Sequence, residues 1–152
     1  MLDANVVLDS LMLEANGQPR SGKMASEQVL VRCDQGELHG LVAWHTLPIV
    51  AYYHGRQNAP SATASMMDAL LGMLEVPKVG QKEAISWRNH RIADFEVALQ
   101  MASAVAGMAD VFVTRNTSDF VGCALPVMTP GTFLAAFPTP SPGSPTLENP
   151  GL

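Results

Sequence analysis

Cysteine, charge and long apolar runs are all scarce in this sequence of 152 residues. The two cysteines, Cys33 and Cys123, lie far apart without CxxC spacing, so reduced thiols are expected. Fourteen acids against nine bases give a net charge of −5, which argues against nucleic-acid binding through a large basic face. Without an apolar run of about 20 residues or a signal-peptide pattern, we expect a cytoplasmic protein with no membrane contact.

Apolar residues make up 47% of the chain, which is enough for the core of one domain. Short apolar runs alternate with segments of helical periodicity, and this alternation predicts a parallel sheet with helices on both faces. The clearest strand is 109–114 and the clearest helix is 92–107. The apolar stripe of that helix is predicted to comprise Phe95, Ala98, Leu99, Ala102, Val105 and Ala106.

Acidic side chains follow the predicted strands, at the edge where a parallel sheet carries its functional crevice. Asp3 follows a very short first strand, Asp119 follows the clearest strand, and Asp94 and Glu96 begin the clearest helix. Carboxylates gathered at one edge repel each other unless they share a proton or a cation, and Mg²⁺ prefers such oxygen ligands. Spacing alone leaves open that Asp3 and Asp119 form turns and that Asp94 caps its helix.

Five motifs occur in an order that resembles the PIN domain family. They are LDANVVLD, GLVAWHTLPIVAYY, DFEVALQMASA, VFVTRNTSDF and PVMTP, and the similarity extends from Met1 to about Phe137. The HTL and TRN-x-x-DF segments resemble most closely a bacterial subgroup of VapC-type toxins. The resemblance implies an α/β fold, a three-layer α/β/α sandwich whose central parallel sheet has four to five short strands. The Pro/Ser/Gly-rich residues 138–152 are expected to be a disordered tail after a PIN-like domain of residues 1–137.

The resemblance also implies an activity and partners. Members of the family are metal-dependent ribonucleases, so we expect hydrolysis of single-stranded RNA with Mg²⁺ or Mn²⁺ as the cofactor. The VapC-type subgroup further implies that the protein is the toxin of a toxin–antitoxin pair, with an antitoxin protein as a partner. A homodimer is also expected, and the apolar helix predicted at 60–75 is a candidate for its contact.

Roles for individual residues follow from the same resemblance. Asp3 matches the first metal-binding acid of the family, and Asn5 matches the neighbouring asparagine that helps to hold the site. Thr114, Arg115 and Asn116 match the TRN segment, in which the family often has an acid at the position of Asn116. Arg115 is a candidate contact for an RNA phosphate.

The remaining acids depart from the family pattern. Asp119 matches the acid of the DF pair, but Val97 stands where the family text DFEDAL has its main metal ligand. Asp94 or Glu96 could substitute, because residues three apart share one face of a helix. The expected metal ligands are Asp3, Asp94 and Asp119, with Asn116 as a further catalytic residue.

Two missing acids leave alternative functions open. Besides the gap at Val97, no acid occurs near Val50, where the family usually has its second acid. These gaps favour, as the alternative, a catalytically degenerate PIN module that acts in RNA or protein binding. A third interpretation, Asp3 as a phosphoryl acceptor in another α/β protein, requires a lysine after a late strand, where this sequence has Arg115.

Overall fold

The computed structural model describes residues 1–139. Its α-helices are α1 (Ala4–Leu11), α2 (Lys23–Asp34), α3 (Thr46–Gly55), α4 (Pro60–Met73), α5 (Gln81–Ile85), α6 (Phe95–Ala106) and α7 (Pro130–Ala136). The strands are β1 (Phe112–Val113) and β2 (Val127–Met128), and 3₁₀ helices form at Ser86–His90 and Thr117–Phe120. Within residues 1–139, no helix is long and apolar enough to cross a membrane. The predicted tail lies almost wholly outside the described residues, so it stays a prediction.

Short parallel segments form the centre of the fold. β1 and β2 pair in parallel, with Phe112 opposite Val127. Single parallel bridges continue this row beyond β1, and they join Leu2 to Val113, Leu2 to Val42 and Leu41 to Glu75. The fold therefore combines many helices with a small parallel sheet, as the α/β prediction requires. In the described part of the chain only β1 and β2 are strands, so the predicted count of four to five strands is not confirmed.

Neighbouring residues of these segments pack into two different core clusters. Leu2 and Val113 lie in a cluster with apolar residues of α1, α2 and α3, whereas Met1 and Phe112 lie in a cluster with Met101 of α6. Such alternation has the two-residue period of an extended strand. It places α6 against the opposite face of the sheet from α1, α2 and α3.

The buried face of α6 differs from the predicted stripe. Ala98 and Ala102 are buried as predicted, but Phe95 and Val105 are 53% and 44% exposed. Phe95 is the first residue of α6, and its ring packs edge-to-face on Trp87 at 5.2 Å between ring centroids. The prediction for Phe95 is wrong because its packing partner comes from the preceding 3₁₀ helix, a contact that periodicity within one helix does not reveal.

Candidate functional site

Asp3 lies where the first parallel segment ends and α1 begins. Its backbone N–H donates to the carbonyl oxygen of Val113 at 3.0 Å, which aligns it with the end of β1. Its φ of −75° and ψ of 156° are extended, and it is the N-cap of α1. Asp3 follows Leu2 and Thr114 follows Val113, and these two segments are adjacent and parallel. Asp3 and Thr114 therefore lie side by side at the carboxyl edge of the sheet.

Three polar side chains form a compact group at this edge, which we name the Asp3 cluster (Asp3, Asn5 and Thr114). Asn5 Nδ2 donates to Asp3 Oδ2 at 2.6 Å and to Thr114 Oγ1 at 3.1 Å. Thr114 Oγ1 donates to the same Asp3 oxygen at 2.6 Å. Two donors on one oxygen hold the carboxylate in one orientation. Among residues 1–139 no hydrogen bond reaches Asp3 Oδ1, which leaves that oxygen for a ligand.

Arg115 and Asp9 extend the Asp3 cluster along α1. The backbone N–H of Arg115 donates to Asn5 Oδ1 at 3.0 Å, and Arg115 Nη1 lies 3.0 Å from Asp9 Oδ1. Arg20 Nε lies 3.0 Å from that same Asp9 oxygen. Asp9 is 1% exposed, and burial raises its pKa more than the two guanidinium groups lower it. Asp9 therefore anchors Arg115, while Arg115 in turn orients Asn5.

The ion pair between Asp9 and Arg20 was not predicted from the sequence. Arg20 lies in the loop between α1 and α2. The same loop ends at Gly22, where a Cβ atom would come within 2.6 Å of Asp9 Oδ2. A signal was present, because an acid among apolar positions of a helix needs a nearby cation, and the next loop supplies one.

The segment after β1 is only partly tied to the Asp3 cluster. The backbone N–H of Asn116 donates to Thr114 Oγ1 at 3.1 Å. Asp119 lies in the 3₁₀ helix Thr117–Phe120, where it is exposed and accepts a hydrogen bond from Ser118 Oγ at 3.4 Å. Asn116 is thus positioned next to the cluster, whereas Asp119 makes no hydrogen bond to it.

The acids at the start of α6 form hydrogen bonds within their own helix. Asp94 Oδ1 accepts from the backbone N–H of Val97 at 3.1 Å, which confirms the cap that spacing had left open. Glu96 Oε1 accepts from Gln100 Nε2 at 2.5 Å. Val97 is half-buried and packs against the core cluster that contains Met101. In the described residues, neither carboxylate is hydrogen-bonded to the Asp3 cluster.

These positions decide how well the residues fit a metal ion. Across residues 1–139, no three His, Cys, Asp or Glu side chains lie close enough together to hold one. The predicted ligands Asp3, Asp94 and Asp119 therefore do not form a preorganised metal site. Asp94 instead caps α6, and Asp119 is exposed in a 3₁₀ helix. Asp3 alone still fits Mg²⁺, which often takes one or two protein carboxylates, several waters and substrate phosphates. A contribution from Asp94 or Asp119 stays a prediction.

Comparison with known proteins identifies the family. A PIN domain family model matches residues 1–118, which is more than half of the chain. The chain belongs to the PIN domain family. No curated protein and no solved structure matches it. PIN domains are nuclease-type domains that generally depend on a divalent metal and bind RNA. The matched range of this PIN domain includes Asp3, Asp94 and Asn116 and ends just before Asp119.

Proposed function

We propose that this PIN domain is an endoribonuclease of low activity that hydrolyses single-stranded RNA with Mg²⁺ or Mn²⁺. The observation that carries the proposal is the Asp3 cluster, in which Asn5 and Thr114 fix a carboxylate at the carboxyl edge of the sheet. Membership in a family of nuclease-type domains supports the same chemistry. We also propose that residues 1–137 form a three-layer sandwich with a central sheet of four to five strands. The segments bridged at residues 2, 41–42 and 75 support this, because they lie in one row with β1 and β2.

The chain's own residues supply binding and orientation. Asp3 would hold the metal ion through Oδ1, with Asn5 and Thr114 fixing the other carboxylate oxygen. Bound Mg²⁺ neutralises charge that develops on a phosphodiester and activates water. Arg115 would contact an RNA phosphate. Asp9 holds one of its guanidinium nitrogens, and the Arg115 side chain is still 37% exposed. Asp94, Asp119 and Asn116 remain the proposed supplementary groups.

A catalytically degenerate PIN module that binds RNA or protein is the second candidate. It is favoured by Val97, which packs as an apolar residue where the family has its main acid. It is also favoured by the lack, within residues 1–139, of three clustered side chains that could hold a metal ion. Both candidates allow RNA binding, but only the ribonuclease cleaves the bound RNA.

Cleavage of a labelled single-stranded RNA separates these candidates. For a ribonuclease, wild-type protein should cleave only with Mg²⁺ or Mn²⁺, and Asp3→Asn should lower the rate by about 100-fold or more, because it removes the ordered charged ligand. Asp110→Asn is the matched control, because Asp110 is an exposed acid that precedes β1 and thus lies at the opposite edge. RNA binding without cleavage, together with no heat in a calorimetric Mg²⁺ titration, would contradict the ribonuclease and support the module.

The proposal extends to the protein's partners and location. We infer that it is the VapC-type toxin of a toxin–antitoxin pair that acts in the cytoplasm. The inference is tested by looking for a small antitoxin gene beside this one and by measuring whether its product suppresses the ribonuclease activity. We also propose a homodimer through α4, since Leu71 on this helix is 47% exposed. The mass of the purified protein by light scattering tests the dimer.

A further inference from the structure

A large aromatic side chain is exposed beside the Asp3 cluster. Val42 is bridged in parallel to Leu2, so Trp44, two residues later, lies at the same carboxyl edge as Asp3. Trp44 is 68% exposed. Within residues 1–139 it belongs to neither core cluster and forms no aromatic or cation–π pair. Most of its large apolar surface therefore faces solvent in the described fold.

An anchored cation lies on the other side of Asp3. The segment of Leu2 lies between that of Val42 and β1, and Arg115 is the second residue after β1. Asp9 holds Arg115 Nη1 at 3.0 Å, and in the described residues the other guanidinium nitrogens of Arg115 have no hydrogen-bond partner. The segments that carry Trp44, Asp3 and Arg115 thus lie in this order along the edge. Two strand spacings, about 10 Å, separate the outer two segments.

We propose that Trp44 stacks on an unpaired base of single-stranded RNA whose backbone phosphate binds Arg115, with Asp3 between them. Proteins that bind single strands combine aromatic stacking with cations along the backbone, and a base in a duplex cannot stack in this way. Stacking also fits the net charge of −5, since the affinity does not then depend on a broad basic face. This inference rests on the proposed function in taking RNA as the substrate, and it adds the residue that selects unpaired bases.

Fluorescence of Trp44 provides a direct test, because the chain has two tryptophans, Trp44 and Trp87. Trp87→Phe leaves Trp44 as the only reporter and keeps an aromatic ring against Phe95. Asp3→Asn is added to this variant so that cleavage of the RNA during the titration is slowed by about 100-fold. A short single-stranded RNA should quench the emission to saturation, whereas a duplex of the same sequence should not.

Affinity measurements in the Asp3→Asn background provide the second test. At one fixed salt concentration, Trp44→Ala should weaken binding of the single strand about tenfold, and Trp44→Phe should restore most of it. Trp44 is exposed, so both variants should fold. Met108→Ala is the control, because Met108 is 86% exposed but precedes β1 at the opposite edge, and its removal should leave affinity unchanged.

The outcomes separate this inference from the proposed function. RNA that binds with unchanged Trp44 emission, or with equal affinity for Trp44→Ala, would overturn the stacking and leave the ribonuclease proposal in place. If wild-type protein neither binds nor cleaves RNA in the presence of Mg²⁺, both are overturned. Loss of an antitoxin contact in Trp44→Ala, with RNA affinity unchanged, would assign Trp44 to a protein interface and also overturn the stacking.

Discussion

The predicted metal site has two halves, and the acids of the two halves have different kinds of hydrogen-bond partner. In the half formed by α1 and β1, Asp3 bonds to Thr114 across 111 positions of sequence, and Asp9 pairs with Arg115 across 106. In the half formed by α6, Asp94 bonds to a residue three positions away and Glu96 to one four positions away. The first half depends on the tertiary fold for its partners, whereas the acids of the second are satisfied by their own helix.

Burial explains why the difference matters. Asp3 and Asp9 are 8% and 1% exposed, and a carboxylate so far from water is unfavourable unless donors or cations surround it. The exposed Asp94 needs no such partners, and its cap stabilises α6 whether or not a metal ion binds. Folding alone therefore requires the partners of the acids in the α1–β1 half, whereas only metal binding would require an acid of α6 to face Asp3.

Of the substitutions that test this comparison, removal of the Asp9 carboxylate should have the largest effect on stability. Asp9→Ala leaves Arg115 and Arg20 without their shared partner and opens a space in α1, so the free energy of unfolding should fall by about 3 kcal/mol. Urea denaturation measures this change. Asp9→Asn keeps an acceptor oxygen, so it should lower the free energy of unfolding by less than Asp9→Ala does. Equal stability of wild type and Asp9→Ala would contradict the anchoring role.

The pH dependence of stability provides a control for the same residue. Because burial raises the pKa of Asp9, the folded state holds its proton more tightly than the unfolded chain does. The resulting stabilisation is complete below the unfolded-state pKa and is lost as pH rises through the higher folded-state pKa. Asp9→Asn should remove this part of the pH profile while the rest of the profile is unchanged.

What could be predicted from the sequence follows the same division. Motif order and strand ends were enough to indicate Asp3, Asn5 and Thr114, because parallel topology brings strand ends to one edge. The number of strands was not predictable, since two-residue strands and single bridges depend on tertiary packing more than on β propensity. Arg20 and the exposed Phe95 were missed for a related reason, because each depends on a partner from another element.

An acid at position 97 should bring the two halves closer in function. Val97→Asp places a carboxylate where the resemblance to the family implies the main metal ligand, and it keeps the backbone N–H that donates to the Asp94 cap. We expect Mg²⁺-dependent RNA cleavage to rise about tenfold in single-turnover assays. Val97→Asn is the matched control of equal size without the charge. Equal rates for the two variants would show that the natural site does not lack this acid.

Substitution of Asp94 should have the smallest effect and yet decide its role. Asp94→Ala removes the cap and should lower the free energy of unfolding by about 1 kcal/mol, measured by urea denaturation. Asp94→Asn keeps the cap, because asparagine is as good at the N-cap as aspartate. If Asp94 only caps α6, the Asn variant should match wild type in both stability and cleavage. If it also holds a metal ion, stability should stay the same while cleavage falls, and the two halves of the predicted site would then act together.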